Sequence, residues 1–198
     1  RWLLEMEALI PSIASEKTKT GESKVKPRWM RRMMITPCMV STFYMLPSEM
    51  KISRYDAGAH VPDYVYEFID LLIVDEAGQV LPEVAGASFA LAKTALVIGD
   101  VLQIEPIWNT TPSVDIGNLL SKGLLDTKQI QIDFNRLCRL GKTSAAGSVM
   151  IIAQCASRYH YDEELARGMF LYEHRRCFDE IINYCNDLCY RGKLIPMR

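Results

Sequence analysis

Two short apolar runs that stop abruptly at acidic residues stand out in the hydrophobic pattern of this chain. Residues 71–76 read Leu-Leu-Ile-Val-Asp-Glu, and residues 95–100 read Ala-Leu-Val-Ile-Gly-Asp. A continuous apolar run of this length is typical of a buried strand in a parallel sheet, and ligands bind at the carboxyl ends of such strands. Two runs of this kind predict one shared site that holds carboxylates.

The segment between the two runs predicts a helix that crosses over from one strand to the next. Pro82 suits the first turn of a helix, and the small residues 85–88 suit close packing on a sheet. We expect strands over residues 64–74 and 94–98, with a helix over residues 82–93 between them. Parallel strands need such a crossover, which is right-handed almost without exception. The predicted fold class is therefore α/β.

Apolar spacing predicts further elements along the chain. Apolar residues three and four positions apart are typical of a helix, and strict alternation is typical of a strand. Helices are expected over residues 2–10, 114–125, 148–156, 163–170 and 179–191, the last closed by Gly192 at its C′ position. Strands are expected over residues 38–44 and 130–134, and an exposed linker over residues 15–24.

Composition and charge describe an ordinary globular protein. The 198 residues are 49% hydrophobic and 24% charged, with a formal net charge of −1, so evidence for a nucleic-acid or membrane partner must be local. The longest apolar runs fall far short of the roughly 20 residues that cross a bilayer. Six cysteines form no regular framework, and the first residues of this sequence do not have the charged, then apolar, then small pattern of a secretory leader. We expect reduced thiols and an intracellular protein, cytoplasmic or, in a eukaryote, nuclear.

A short basic segment with one tryptophan precedes residue 38. Cations beside an aromatic ring suit contact with a nucleic-acid backbone and stacking on bases. A solvated helix whose Trp and Met side chains pack inward explains the same residues equally well. The residues of this basic segment are Lys24, Lys26, Arg28, Trp29, Arg31 and Arg32.

The pair Asp75 and Glu76 offers two carboxylates for different tasks. Neighbouring residues at a strand end point in different directions, so their side chains need not share a partner. One carboxylate suits a Mg²⁺ ion held through water, and the other suits a water molecule that attacks a γ-phosphate. The pair therefore predicts the metal-and-water half of a nucleoside triphosphatase site.

The residues at both acidic ends resemble the superfamily 1 helicases, in particular the Upf-type group. Residues 75–79 (Asp-Glu-Ala-Gly-Gln) are similar to motif II of that family, and residues 99–103 (Gly-Asp-Val-Leu-Gln) are similar to motif III. The resemblance implies a RecA-like parallel sheet flanked by helices, the P-loop NTPase core, which would be incomplete in this chain. It also implies the cofactors ATP and Mg²⁺.

The same resemblance implies a role for each polar residue of the two motifs. Asp75 would hold Mg²⁺ through water, and Glu76 would be the catalytic base. Gln103 would be the catalytic sensor that touches the γ-phosphate and couples it to the grip on nucleic acid. Asp100 and Gln79 would contribute to binding the cofactor.

A segment near the C-terminus resembles motif IV of the family. Residues 173–177 read Glu-His-Arg-Arg-Cys, where the family has Gln-Tyr-Arg in place of Glu-His-Arg. The resemblance implies that Arg175 reaches the γ-phosphate as a catalytic residue, since its charge would stabilise the transferred group. The alternatives are the adjacent Arg176 and a plain surface arginine.

A segment after the basic cluster resembles motif Ic. Residues 37–42 match that motif, which implies that Ser41 and Thr42 contact the phosphate backbone of a single strand without reading its sequence. A simple strand end is an equally good explanation of the two hydroxyls.

The phosphate-binding loop of the family has no counterpart in this chain. Residues 141–143 (Gly-Lys-Thr) match the end of a Walker A loop, but Arg136 occupies the position of its first glycine, and residues 1–70 contain no alternative. That loop supplies most of the binding of the β- and γ-phosphates. We therefore expect the chain alone to hydrolyse ATP poorly or not at all.

The predicted organisation follows these motifs. Residues 1–26 would be a peripheral helix and linker, residues 27–135 the later part of a first RecA-like domain, residues 136–170 an insertion or connector, and residues 171–198 the start of a second RecA-like domain. Both chain ends read as interior sequence. We expect a fragment of an ATP-dependent nucleic-acid helicase or translocase, with single-stranded DNA or RNA and the rest of the parent chain as partners and no membrane.

Two other functions stay open from the sequence. A Mg²⁺-dependent nuclease would hold two metal ions in a carboxylate cluster, in which Gly99 and Gln103 have no role. That cluster would consist of Asp75, Glu76, Asp100 and Glu105. A non-catalytic binding or docking module would show salt-sensitive contact with nucleic acid and no turnover. Its contact residues would be Arg28, Arg31 and Arg32.

Overall fold

The computed structural model describes residues 20–197 as a mixed α/β protein with small parallel and antiparallel sheets. Its helices are α1 (Glu22–Met33), α2 (Leu46–Glu49), α3 (Pro82–Phe89), α4 (Pro112–Ser121), α5 (Ile130–Arg139), α6 (Val149–Ala156) and α7 (Asp179–Cys189). Its strands are β1 (Lys51–Asp56), β2 (Ala59–Tyr64), β3 (Ile69–Val74), β4 (Ala92–Val97), β5 (Glu173–His174) and β6 (Ile195–Pro196). A 3₁₀ turn spans Ala77–Gln79.

The chain divides into two compact units. Among the described residues, the first unit contains 20–74 and 83–96, and the second unit contains 75–82 and 97–197. Both units are discontinuous in sequence, so the residues after β3 and the residues after β4 belong to the same unit. The predicted RecA-like domain boundaries stay a prediction.

A cluster of buried apolar side chains forms the core of the first unit. Val25 and Trp29 lie one turn apart on α1 and are 1% and 5% exposed, which gives the helix one apolar face. Lys26 pairs with Glu22 across one turn on a solvated side of the same helix. The rest of the core consists of Leu46, Met50, Ile52, Val65 and Leu91.

Strands β1 and β2 form an antiparallel hairpin that was not among the predicted elements. Ala57 and Gly58 make the turn with φ angles of 45° and 88°, and a tight two-residue hairpin turn needs such positive angles at both positions. The register places Ser53 opposite Pro62. A proline inside the second strand hides it from sequence reasoning, because proline cannot donate to a sheet ladder and is depleted from strands.

The predicted strand, helix and strand around the apolar runs are present as β3, α3 and β4. The Phe68 N–H donates to the Leu91 carbonyl at 2.9 Å, and the Thr94 hydroxyl donates to the Asp70 carbonyl at 2.6 Å. The pairing positions advance together along both strands, so the strands run parallel. The parallel crossover unit predicted from the sequence is therefore confirmed.

The predicted burial of the first apolar run is only half right. Val74 is 2% exposed, whereas Leu71 and Ile73 are 51% and 55% exposed. Alternate residues of a strand face opposite sides, and β3 pairs with β4 alone within the described residues. One face of this two-stranded sheet is covered, and the face with Leu71 and Ile73 is not.

Four predicted segments differ from the structure. Residues 38–44 contain no strand and lead through a turn into α2, and residues 163–170 form turns rather than a helix. Residues 130–134 begin α5 rather than a strand. The predicted linker over residues 15–24 overlaps α1, which begins at Glu22.

Two of these differences have a local cause. Phe134 lies four residues after Ile130, and the structure buries Phe134 while Ile132 stays 64% exposed, which is the spacing of a helical face rather than of a strand. Gly168 has a φ of 118°, which no residue of a regular helix adopts. The same region is held instead by Asp162, which accepts a hydrogen bond from Lys193 at 2.7 Å.

The predicted helices at residues 114–125, 148–156 and 179–191 are confirmed as α4, α6 and α7 with shifted ends. The Ser148 hydroxyl caps α6 by accepting the Ile151 N–H at 3.3 Å. At the end of α7 the left-handed position C′ is taken by Arg191 with a φ of 54°, and Gly192 follows with a φ of 72°. The prediction of glycine at C′ was therefore wrong by one residue.

The predicted helix over residues 2–10 and most of the predicted linker lie outside the described residues. Between residues 20 and 197, no helix combines the length and apolar character that crossing a bilayer requires. All six cysteines carry free thiols.

We expect the substitution Leu91→Ala to lower the free energy of unfolding of the first unit by about 2–4 kcal/mol, because it removes a 1% exposed side chain from the core. The same change at the 51% exposed Leu71 should cost under about 1 kcal/mol. Urea denaturation followed by circular dichroism measures both values. Equal losses in the two variants would contradict the placement of Leu91 in the core.

Candidate functional site

Two loops of the second unit are held together by their backbones. The first loop, residues 75–79, follows β3, and the second loop, residues 98–103, follows β4. The Ala77 N–H donates to the Ile98 carbonyl at 2.9 Å. The residues of the predicted motifs II and III therefore lie side by side.

Two glycines permit this close approach. A Cβ atom on Gly99 would lie 2.8 Å from the backbone nitrogens of Ala77 and Gly78. A Cβ atom on Gly78 would collide with the Asp100 carbonyl oxygen. Since both obstacles are backbone atoms, a side chain at either position would push the loops apart.

The acidic end of the first loop has an unusual backbone. Glu76 adopts the left-handed conformation, with φ 52° and ψ 40°, which costs a residue other than glycine roughly 1–2 kcal/mol. The Asp75 carboxylate accepts the Glu76 N–H at 3.0 Å, and the Gln79 N–H donates to the Glu76 carbonyl at 3.0 Å. Asp75, Glu76 and Gln79 are all exposed, so their polar groups face solvent.

The Asp100 carboxylate is the centre of the second loop. Its Oδ1 accepts the Leu102 N–H at 2.8 Å, and its Oδ2 accepts the Gln103 side-chain amide at 3.0 Å. The Tyr190 hydroxyl donates to the same Oδ2 at 2.5 Å. The Asp100 carboxylate therefore accepts three hydrogen bonds from groups of the protein. One of them fixes the side-chain amide of Gln103.

The pKa of the Tyr190 hydroxyl is raised in this environment. Burial raises the pKa of its hydroxyl from 10.0 to about 12, and the hydrogen bond to Asp100 and the Asp100 charge act in the same direction, while Gln103 opposes them. The hydroxyl therefore stays protonated and donates. Because this pKa lies above the value of an unfolded tyrosine, the stabilisation is complete below about pH 10 and is lost as the pH rises towards about 12.

The donor set of the loops fits a Mg²⁺ ion only in part. Asp75 presents an exposed carboxylate of the hard oxygen type that Mg²⁺ prefers, and this ion is commonly held by one or two carboxylates together with phosphates and water. Within residues 20–197, no three His, Cys, Asp or Glu side chains converge in a geometry able to hold a metal ion. The four-carboxylate cluster of the nuclease alternative is therefore not assembled among these residues.

Arg175 lies in the second unit beside β5. Its guanidinium donates to Glu173 Oε2 at 2.7 Å, and the two side chains are 66% and 47% exposed. An ion pair this exposed contributes little to stability. Within the described part of the chain, the structure gives Arg175 a sequence neighbour as its partner rather than a residue of the two loops.

Part of the predicted nucleic-acid surface forms a groove in the first unit. The guanidinium of Arg32 lies 5.1 Å from the centre of the Trp29 ring, in a cation–π arrangement. An open groove of about 460 Å³ is lined by a cation, Arg32, and a carboxylate, Glu49. Its other lining residues are Trp29, Met33, Thr36, Cys38, Met39, Val40 and Ser41. The basic segment and the predicted motif Ic therefore share one surface. Arg28 and Arg31, both half-buried, belong to the same helix α1.

Two details of this surface differ from the sequence-based expectations. Trp29 is 5% exposed, so its ring packs in the core and cannot stack on a base. The Ser41 hydroxyl donates to the Thr42 carbonyl at 3.3 Å, and the Thr42 hydroxyl accepts the Met45 N–H at 3.3 Å. These residues form a turn before α2 rather than a strand end.

The sequence alone did not indicate Tyr190 as a member of the site. Tyr190 is 90 positions away from Asp100 in the chain, and a tyrosine at the end of an amphipathic helix has no local pattern that singles it out. Gly78 and Gly99 were visible as parts of motifs, but their close approach to the facing backbone was not. Comparisons of the chain with known protein families, curated proteins and solved structures found no match.

We expect Gly99→Ala to destabilise the second unit by about 1–3 kcal/mol, because its Cβ would collide with two backbone nitrogens of the first loop. Gly117→Ala is the matched control, since Gly117 lies inside α4 with nothing within 4 Å of its Cβ position. The control should stabilise the protein by up to about 1 kcal/mol. Thermal unfolding measures the two effects, and effects of the same sign would contradict the close approach of the loops.

Proposed function

We propose that this chain supplies the magnesium-and-water half of an ATP hydrolysis site in a nucleic-acid helicase or translocase with a RecA-like fold. The observation that carries the proposal is the backbone contact between the two loops. That contact places the loop that carries Asp75 and Glu76 beside the loop that carries Gln103, directly after two parallel strands. Ligands of open parallel sheets bind at such strand ends.

In the proposed site, Asp75 and Glu76 have separate tasks. Asp75, with an exposed carboxylate, would hold the Mg²⁺ ion through water, and the bound ion would neutralise charge on the phosphates. Glu76 would accept a proton from a water molecule while the water oxygen bonds to the γ-phosphorus. The bond from that phosphorus to the β,γ-bridging oxygen then breaks, and ADP leaves with its electron pair.

The backbone of Glu76 is held in one conformation by its neighbours. A left-handed glutamate is strained, and such strain persists only where the surroundings enforce it. The neighbouring contacts at Ala77 and Asp75 fix that conformation. The loop contacts therefore fix the backbone from which the Glu76 side chain extends.

Gln103 would sense the γ-phosphate in the proposed site, and Asp100 would hold Gln103. A carboxylate accepts hydrogen bonds and donates none, so the amide must present its N–H to Asp100. The Gln103 Oε1 atom then remains to accept a hydrogen bond, as from the attacking water. Gln79, exposed in the first loop, would contribute to nucleotide contact.

The proposed site also needs groups that bind the β- and γ-phosphates and an arginine that reaches the γ-phosphate. No G-x-x-x-x-G-K-[ST] sequence occurs among the 198 residues, so polypeptide other than these residues would hold the β- and γ-phosphates. Arg175 would leave Glu173 to reach the γ-phosphate in the assembled site. A weak, exposed ion pair allows such an exchange of partners.

Nucleic acid would bind at the groove of the first unit. Arg32 supplies a cation there, and Ser41 supplies a hydroxyl at the same rim. Such groups suit phosphates of a single strand and carry no base specificity. Arg28 and Arg31 would add positive charge along α1, and Thr42 would shape the turn that presents Ser41.

We expect Glu76→Gln to lower kcat for ATP hydrolysis at least about 100-fold in the full-length gene product that carries these residues, because the amide cannot accept the proton of the attacking water. Nucleotide affinity should stay within about threefold, since binding does not need the base. Phosphate release in the presence of single-stranded DNA or RNA measures kcat, and a fluorescent ATP analogue measures affinity.

Glu67→Gln is the matched control, because Glu67 is also an exposed glutamate with a positive φ, of 51°. It should retain full activity. The proposal fails if the wild-type protein hydrolyses no ATP, or if the two variants behave alike. Cleavage of single strands in Mn²⁺ that disappears in Asp75→Ala would instead support a nuclease.

We expect Arg32→Ala to weaken binding of a single strand about three- to tenfold at low salt and to reduce the slope of log K against log salt by roughly one. Arg54→Ala is the matched control. Arg54 is an exposed arginine of β1 whose Nε atom lies 3.5 Å from Asp63 Oδ2, and it is not among the residues that line the groove. Fluorescence anisotropy with a labelled oligonucleotide measures both. An identical salt slope for the wild type and Arg32→Ala would contradict phosphate contact by Arg32.

A further inference from the structure

We propose that Tyr190 is a positioning residue of the site, which orients Gln103 by holding Asp100 from outside the two loops. This inference rests on the proposed function. The Tyr190 hydroxyl reaches the two loops through its hydrogen bond to Asp100, so its effect would pass through that carboxylate.

The Asp100 carboxylate accepts hydrogen bonds from two side chains and from the backbone of its own loop. Its Oδ2 atom receives both the Tyr190 hydroxyl, at 2.5 Å, and the Gln103 amide, at 3.0 Å. Its Oδ1 atom receives the Leu102 N–H at 2.8 Å. Without the tyrosine hydroxyl, the carboxylate is held by the second loop alone, and a rotation about χ2 of Asp100 would carry Gln103 with it.

Hydrogen bonds hold the segment that carries Tyr190. Asn186, which is 6% exposed, donates its side-chain amide to the Leu194 carbonyl at 2.9 Å and accepts the Leu194 N–H at 2.9 Å. The Tyr190 and Gly192 N–H groups both donate to the Asn186 carbonyl, at 3.0 and 3.1 Å. The end of α7 is therefore tied on both sides of Tyr190, so the hydroxyl is delivered from a fixed backbone.

The contact between Tyr190 and Asp100 depends on the protonation state of the tyrosine. The Tyr190 hydroxyl can orient Asp100 only while it carries its proton. Burial raises its pKa to about 12, and the hydrogen bond to Asp100 and the Asp100 charge act in the same direction. The contact therefore persists throughout the range in which an ATPase works.

The kinetic test compares Tyr190→Phe with Tyr184→Phe in the full-length gene product. Tyr184 is 70% exposed on the same helix and is the matched control. We expect Tyr190→Phe to lower kcat about tenfold with little change in KM, since the loss concerns a transition-state contact, and Tyr184→Phe to change neither. Unchanged kcat in Tyr190→Phe would overturn the proposal.

A double-mutant cycle separates positioning from general destabilisation. If Tyr190 acts through Gln103, the variant Tyr190→Phe/Gln103→Ala should be no slower than Gln103→Ala alone. Multiplication of the two single effects would mean that Tyr190 acts by another route and would overturn the proposal. Circular dichroism verifies that each variant is folded.

Nuclear magnetic resonance of the chain gives a readout that does not depend on activity. The side-chain amide signals of Gln103 should shift in Tyr190→Phe and stay in place in Tyr184→Phe. Unmoved signals in Tyr190→Phe would overturn the positioning contact even in an active protein. A wild-type protein that hydrolyses no ATP would contradict the proposed function and the catalytic effect of Tyr190. A shift of the Gln103 amide signals in Tyr190→Phe would still confirm the contact itself.

Discussion

The close approach of two backbone segments, residues 75–79 and 98–103, is the constraint on which the candidate site depends. A single N–H to carbonyl bond joins them, from Ala77 to Ile98, and the absence of side chains at Gly78 and Gly99 makes it sterically possible. Every chemical assignment made for Asp75, Glu76 and Gln103 assumes that these segments stay in contact. The glycines decide whether the loop that carries Asp75 and Glu76 can lie beside the loop that carries Asp100 and Gln103.

The site also shows that a conspicuous carboxylate need not face a ligand. Asp75 and Asp100 both end apolar strands, yet Asp75 is exposed and Asp100 accepts three hydrogen bonds from the protein. A carboxylate that is already satisfied orients other groups more readily than it binds a metal ion. Two residues that look equivalent in sequence therefore lie in different environments in the structure.

Backbone strain has a limited meaning in this protein. Positive φ angles at residues other than glycine occur, within the described part of the chain, at Ala57, Glu67, Glu76 and Arg191. Ala57 makes a hairpin turn and Arg191 ends a helix, so both have a structural explanation. Glu67 shares this conformation and also lies between backbone contacts, since its N–H donates to the Ala90 carbonyl. The role proposed for Glu76 therefore rests on its place in the first loop after β3 and not on strain alone.

The sequence by itself determined the parallel crossover unit, the helices α4, α6 and α7, and the residues of the two loops. These features rest on local information: apolar periodicity, small residues and short polar interruptions, which a neighbouring chain segment does not alter. The apolar residues from Ile130 to Phe134 fit both the period of a strand and the period of a helix. For them the pattern predicted a strand, whereas the structure has a helix. The turn with Gly168 and the hairpin with Pro62 were missed for similar local reasons.

Only the tertiary structure decided which of the predicted residues meet. It buried Trp29 beneath Arg32, paired Arg175 with Glu173, and brought Tyr190 to Asp100 across 90 positions. Contacts of this kind depend on which surfaces pack together and on a few ångströms of loop geometry, and neither is encoded in the spacing of residues along the chain.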